Sequence, residues 1–281
     1  MLRQIKEGVR RVLPAFLWNR LKDVQRRLRF LRAAGFSDEE PTIMRYLASV
    51  EDVSRFAVDI AAQDGVGGSQ TLGLFKAGWH GVAVEFDAEM FAVLAKTYQS
   101  LPDVDLVRTR VKPSNVCSIL TAVGCPKNFG FLSLDIDSYD FFILEALLRE
   151  FRPSLMCVEI NETIPPPIAF TVTFSDDHVW DGSHFQGQSI AKCHELCVAH
   201  DYHIVELHYN NLLIMPAELN RHPKLTPDEA YDRGYRHRPD RREKFPWNAD
   251  MEELLSMPTA DAIAFLERKF VAQRGRYLLE L

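Results

Sequence analysis

Three carboxylates within six positions, Asp135, Asp137 and Asp140, follow the short apolar run at residues 131–134. Like charges brought so close are costly unless solvent, hydrogen bonds or a cation compensates them. Glu159 and Asn161 add two oxygen donors at the end of another apolar run, beyond the next helical pattern. If the two runs are neighbouring strands, Asp137, Glu159 and Asn161 form an oxygen-rich group suited to Mg²⁺ or another divalent cation. Such a cation lowers the pKa of a bound hydroxyl and orients it for transfer. The competing reading is a solvated polar rim in which Asp137 or Ser138 caps the helix that begins near Tyr139. His178 and His184 lie in an aromatic stretch after Pro165, Pro166 and Pro167. A neutral imidazole in either place could act as general base near pH 7, and each also reads as a structural or surface histidine. Trp180, Phe170, Phe174 and Phe185 could stack on a sugar or fill a core.

A second constellation occupies residues 56–69. Residues 56–61 are apolar apart from Asp59 and read as a buried parallel strand. Gly65, Gly67 and Gly68 then permit a tight turn, and Ser69 opens a helix carrying Leu72, Leu74 and Phe75. A strand, a glycine-rich turn and a helix suit a nucleotide-like ligand. The next short strand, residues 81–85, ends in Glu85, where an acid holds ribose hydroxyls. A dinucleotide fingerprint needs a small residue where Gln70 stands, which weakens an NAD reading.

On these residues the chain resembles the class I S-adenosyl-L-methionine (SAM) methyltransferases, and most closely their FkbM-like branch, over residues 56–215. The resemblance implies SAM as cofactor and O-methylation of a hydroxyl on a carbohydrate or related natural product. It implies that Asp59, Gln63, Asp64, Gly65 and Ser69 surround the methionine part of SAM, that Glu85 holds the ribose, and that Asp135 meets the amino-acid end. Asp135, His178 and His184 are then the candidate catalytic groups, with Asp137, Glu159 and Asn161 as candidate metal ligands. The chain departs from the family at Asp137 and Ser138, where FkbM-type sequences often carry Glu-Gly. An NAD-dependent sugar oxidoreductase and a non-catalytic binding protein are the alternatives.

These residues must be positioned by regular βα alternation. Strands are expected at residues 56–61, 81–85, 104–107, 131–134, 154–160, 202–207 and 211–215, with helices at residues 87–98, 139–150 and 189–200 between them. The expected fold is α/β: a doubly wound, Rossmann-like, seven-stranded sheet, mostly parallel, with N-terminal and C-terminal helical extensions. The connection between the last two strands is too short for a parallel crossover, so the last strand should be antiparallel. Residues 51–217 form the expected core, with a substrate loop at residues 161–188, and residues 218–281 form a C-terminal extension with a helix over residues 251–271.

Residues 1–50 read as a basic amphipathic helical extension. Residues 1–33 hold ten lysines and arginines against Glu7 and Asp23, in a chain whose formal charge is −6. Such an arm packs on its own domain or on a second copy in a homo-oligomer, or makes a peripheral membrane contact. The expected partner is a small-molecule or glycan acceptor, and no nucleic acid. The five cysteines form no disulfide framework, which points to a cytoplasmic protein, or a membrane-associated one if the arm binds lipid. Cys193 and Cys197, four apart, read as small core residues with a structural zinc site as the alternative.

Overall fold

The computed structural model describes residues 39–281, so the basic arm expected over residues 1–33 lies outside the described residues. Among the described residues there are nine strands: β1 (Phe56–Ile60), β2 (His80–Glu85), β3 (Val104–Arg108), β4 (Phe131–Leu134), β5 (Leu155–Glu159), β6 (Ala169–Val172), β7 (Tyr202–His208), β8 (Asn211–Pro216) and β9 (Tyr277–Glu280). Seven of them make one sheet in the order β3-β2-β1-β4-β5-β8-β7. The strands from β3 to β5 pair in parallel. Strand β8 runs antiparallel to both β5 and β7, as the two-residue connection Tyr209-Asn210 requires.

The apolar runs are continuous because the sheet is covered on both faces. Successive side chains of a strand point to opposite faces, so Met156 and Val158 of β5 enter one core layer while Leu155 and Cys157 enter the other. Strand β8 divides in the same way, with Leu212 and Ile214 against Leu213 and Met215. The flanking helices start where a side chain can take their unpaired N–H groups. Asp87 accepts from Glu89 and Met90 at the start of the helix Ala88–Tyr98. Ser189 accepts from Lys192 at the start of the helix Ile190–Ala199. Strand order reverses between β1 and β4, and in such sheets a crevice opens there at the carboxyl ends of the strands.

The segment at residues 161–188 and the C-terminal extension are more ordered than expected. Strand β6 lies inside the first and pairs antiparallel with β9 at the end of the second. Their ribbon covers a third core built from Phe170, Phe185, Leu266 and Phe270. Phe170 and Phe185 are therefore packing residues, both buried. The helix expected over residues 251–271 divides into a 3₁₀ turn, Glu252–Ser256, and the helix Thr259–Lys269. Pro258 between them lacks the N–H that a continuous helix needs. Cys193 and Cys197 are both buried in the main core. No helix among the described residues is long and apolar enough to cross a membrane.

Candidate functional site

The glycine turn after β1 is held by its own side chains. Asp64 Oδ1 accepts from the backbone N–H groups of Val66 (2.9 Å) and Gly67 (2.8 Å). Glu85 Oε2 accepts from Gln63 N at 2.9 Å, and Glu85 Oε1 from Asp87 N at 2.7 Å. The acid at the end of β2 thus ties the first loop to the second. Ser69 Oγ takes Leu72 N at 3.1 Å, where the helix Leu72–Lys76 begins. Ala61 and Gln63 have positive φ (72° and 49°), a costly conformation for residues with a Cβ.

Two glycines of this turn have different reasons to be glycine. Gly65 has φ +74°, and a Cβ there would lie 2.5 Å from Tyr98 Cε1 and 2.6 Å from Leu94 Cδ1. Gly68 has φ +75° and nothing within 4 Å. We therefore expect Gly65→Ala to cost about 2–4 kcal/mol in urea denaturation, backbone strain and overpacking together. Gly68→Ala should cost only about 1 kcal/mol, for strain alone. Equal costs would show that packing against Tyr98 is not what fixes Gly65.

Asp59 is buried in β1, and its Oδ2 accepts from Thr71 Oγ1 at 2.5 Å. Burial pushes its pKa up to about 6, the Thr71 hydrogen bond offsets part of this, and the charge of Glu85 adds to the rise. Asp59 lines a cleft of about 450 Å³ over the carboxyl ends of β1 and β4, together with Gln63, Gly67, Gly68, Ser69 and Asp135. Among the described residues, three acids face this cleft, Glu39, Asp59 and Asp135, and one cation, Lys244.

The acids after β4 and β5 do converge. Asp135, Asp137 and Glu159 each offer an oxygen within 4.8 Å of the others, the one such group of His, Cys, Asp or Glu among the described residues. Strand β4 ends at Leu134, so alternation along a strand does not align Asp135 with Asp137. A left-handed turn does so instead, with φ 55° at Asp137. Asp140 braces that turn by accepting from Ile136 N (2.8 Å) and Ser138 N (3.0 Å), and the following helix Asp140–Leu148 has no side-chain cap. Asp137 and Ser138 are thus not caps. Burial raises the pKa of Asp135 to about 6, offset in part by a hydrogen bond to Glu159, with the charges of Asp140 and Asp59 adding to it. Burial and then the Asp135 charge raise Asp137 to about 7. Glu159 is raised well above the usual range by burial and by both aspartates. Asp135 Oδ1 is buried with no hydrogen-bond partner among the described residues. A cation or a shared proton would satisfy this group.

Asn161 does not join it. Its Nδ2 donates to the carbonyls of His184 and Gln186, and its Oδ1 accepts from Thr163 N and Thr163 Oγ1. The amide is spent on holding residues 161–188 in place, so the acids that come together are Asp135, Asp137 and Glu159. Neither histidine fits a general base. His178 Nδ1 lies 3.0 Å from Arg276 Nη2, which can only donate, so the one basic nitrogen of the neutral ring is already engaged. His184 Nε2 lies 2.9 Å from Asp250 Oδ1 in a separate hollow beside the C-terminal extension.

Sequence reasoning missed an amide network supplied by the β7–β8 hairpin. Asn210 Nδ2 donates to Glu159 Oε1 at 2.6 Å. Asn211 Oδ1 accepts from Gln70 Nε2 at 3.0 Å, and Gln70 Oε1 accepts from Ser133 Oγ at 3.1 Å. Asn211 Nδ2 in turn donates to Glu39 at 3.0 Å. The available signal was the antiparallel hairpin itself, whose turn must return at the carboxyl edge of the sheet beside the acids. Asn115, after β3, is a loop brace that accepts from Lys112 N and donates to Arg110 O.

A second hollow, of about 220 Å³, lies at the ends of β2, β3 and β4 and shares Ile60 and Ala61 with the first. Phe86, Tyr139, Val179 and Trp180 line it, with Asp137 and His178. Of the three acids, Asp135 lines the first hollow and Asp137 the second.

No family model matches the chain, and no curated protein matches it. Solved structures match it in fold. An O-methyltransferase from Bacillus cereus, solved with S-adenosylhomocysteine (SAH), is 15% identical, with 75% of this chain and 96% of that one covered and a TM-score of 0.44. An amino pentose methyltransferase from Micromonospora echinaspora, solved with SAM, is 11% identical, with 66% and 92% covered and a TM-score of 0.40. A protein of the NADB-Rossmann superfamily from Streptococcus agalactiae is 14% identical, with 86% and 96% covered and a TM-score of 0.44.

Proposed function

We propose that this chain is a SAM-dependent O-methyltransferase acting on a hydroxyl of a carbohydrate or related natural product. The observation that carries the reading is the acid-lined cleft beside the glycine turn, where Glu39, Asp59 and Asp135 outnumber the one lysine among the described residues. A sulfonium cofactor with an ammonium group is favoured by such a field, whereas the pyrophosphate of a dinucleotide is repelled by it. The helix after the glycine turn has five residues, and Gln70 holds Ser133 and Asn211 where a dinucleotide site has its third glycine. Both features oppose pyrophosphate binding.

The bound cofactor supplies the electrophilic methyl group. On this reading Glu85 orients the ribose, Asp59 and Asp135 face the positive end, and the turn formed by Gln63, Asp64, Gly65 and Ser69 cradles the methionine part. Asp135, Asp137 and Glu159 accept the proton of the acceptor hydroxyl, and their raised pKa values suit proton transfer near neutrality. The same three would hold a divalent cation, which would lower the pKa of that hydroxyl. Trp247, 62% exposed at the cleft, offers a flat face for a sugar ring. Residues 51–217 serve as the cofactor-binding core, residues 161–188 wall the second hollow, and residues 218–281 wall the first through Lys244, Phe245 and Trp247.

Calorimetry with SAM, SAH and NAD tests the reading. SAM and SAH should bind and NAD should not; the reverse result overturns the proposal. The sign of the pH dependence is a further check. Asp59 ionises near pH 6 in the free protein, so the preference for cationic SAM over uncharged-sulfur SAH should grow as pH rises from about 5.5 to 7.5.

A further inference from the structure

A third hollow, of about 540 Å³, adjoins the first, and both fall in the size range of ligand clefts. The chain passes from one to the other along a 3₁₀ turn, Pro246–Asp250. Phe245 lines the first hollow, Trp247 lines both, and Asp250 lines the third. In a 3₁₀ turn side chains three apart stand one above the other, which sets Trp247 and Asp250 on the same side. The Trp247 ring packs edge-on against buried Phe245, with 5.3 Å between centroids, and is still 62% exposed.

Both walls of the third hollow are anchored at the residues that follow Glu159. Asn161 Nδ2 donates to the carbonyl of His184 at 2.8 Å, and Asn248 Nδ2, in the 3₁₀ turn, donates to Glu162 Oε1 at 2.6 Å. Asp250 then ties the walls together. Its Oδ1 lies 2.9 Å from His184 Nε2, and its Oδ2 accepts from Lys269 Nζ at the end of the helix Thr259–Lys269. The Lys269 hydrogen bond holds the Asp250 carboxyl below its usual pKa, so it is an anion at pH 7. These contacts do not use up the polar groups. A carboxylate has about four lone-pair sites and an ammonium three donors, and the Asp250 and Lys269 side chains remain 55% and 32% exposed. Ser183 and Gln273 add a hydroxyl and an amide to the wall. One anion beside one cation leaves the local field balanced, which favours an uncharged ligand over an ionic one. An aromatic face flanked by separate donors and acceptors matches a pyranose, which has C–H groups on its faces and hydroxyls around its edge.

We propose that the third hollow holds a second, uncharged sugar residue of the acceptor, joined across Trp247 to the residue that is methylated in the first. The inference rests on the methyltransferase reading above and adds to it the acceptor's size: an oligosaccharide or glycoside of at least two sugar units. Trp247 stacks on the sugar, Asp250 accepts from its hydroxyls and Lys269 donates to them. His184 is a positioning residue that holds Asp250.

The test applies the full chain, saturated with SAH, to a printed array of mono-, di- and trisaccharides. Calorimetry then compares the best-captured glycan with each of its sugar residues as the methyl glycoside. Wild type should bind the longer glycan at least about tenfold more tightly than any single residue of it. Lys269→Met keeps the apolar stem and removes the donors, and Asp250→Asn keeps the shape and removes the charge. Both variants should narrow that gap to about twofold. The inference is overturned if wild type binds SAH and captures no di- or trisaccharide, or binds the longer glycan within about twofold of a single residue. Neither result depends on a folded variant. It is also overturned if both variants keep the wild-type gap. Failure of wild type to bind SAH in the same calorimeter would instead overturn the methyltransferase reading, and this inference with it.

Discussion

Asp137→Asn should lower kcat for methyl transfer by about 100-fold or more and yet raise the melting temperature of the ligand-free protein at pH 8. The activity loss follows from removing one of three oxygens that receive the acceptor's proton or hold the cation, a role worth roughly 10²–10⁴ in rate. The gain in stability follows from the sign of the pKa shift. An unfolded Asp137 ionises near 3.8, whereas in the folded protein burial and Asp135 hold it up to about 7. Between those values the folded protein keeps a proton that the unfolded chain has released, so wild-type stability falls as pH rises through that window. Above it the folded state carries the full repulsion, and Asp137→Asn relieves on the order of 1–3 kcal/mol of it. That corresponds to about 3–8 °C.

Mg²⁺ separates the two chemistries open to this group. A bound cation reverses the local cost of ionisation, so 5–10 mM Mg²⁺ (roughly the range for a weak oxygen site) should raise the wild-type melting temperature at pH 8 and leave Asp137→Asn unmoved. An equal response of the two proteins would leave the carboxylates as proton acceptors alone. A variant less stable than wild type at pH 8 would contradict the electrostatic account altogether.

The second large effect is expected at Glu85. Glu85→Gln should weaken SAH binding by about 100-fold, because a carboxylate is lost that accepts from Gln63 N and Asp87 N and, on our reading, from the ribose. An amide has one acceptor oxygen, so at least one of the two loops is released. Asp64→Ala provides the contrast. It removes the acceptor of Val66 N and Gly67 N within the same turn and touches no ribose, and should cost less than about tenfold. Calorimetry on both variants checks the difference. Equal losses would mean that Glu85 acts only as a loop brace.

Much of this architecture could be read from local signals. The runs that became β1, β2, β4 and β5 are short, apolar and bounded by polar turns, and a strand buried on both faces can have no other pattern. The two-residue link before β8 fixed its antiparallel direction by length alone. The glycines at positions 65 and 68 marked a turn that needs positive φ, and the acids at positions 59, 85, 135, 137 and 159 sat at strand ends that a doubly wound sheet must bring to one edge.

What only the tertiary structure decided was where side chains go once several elements compete for them. Asn161 looked like a metal ligand beside Asp137 and Glu159, but the chain after β5 folds back and takes both ends of its amide. His178 looked like a base until Arg276, 98 positions away, occupied its basic nitrogen. The pairing of β6 with β9 spans more than a hundred residues and leaves no local periodicity to detect it. Asn210 lies in a plain hairpin turn and Asn211 at the start of a strand by sequence, and both become cleft residues only because β8 enters the sheet beside β5. Backbone pattern is set by the solvent on either side of an element and is therefore local, whereas hydrogen-bond partners depend on which distant groups arrive at the same place.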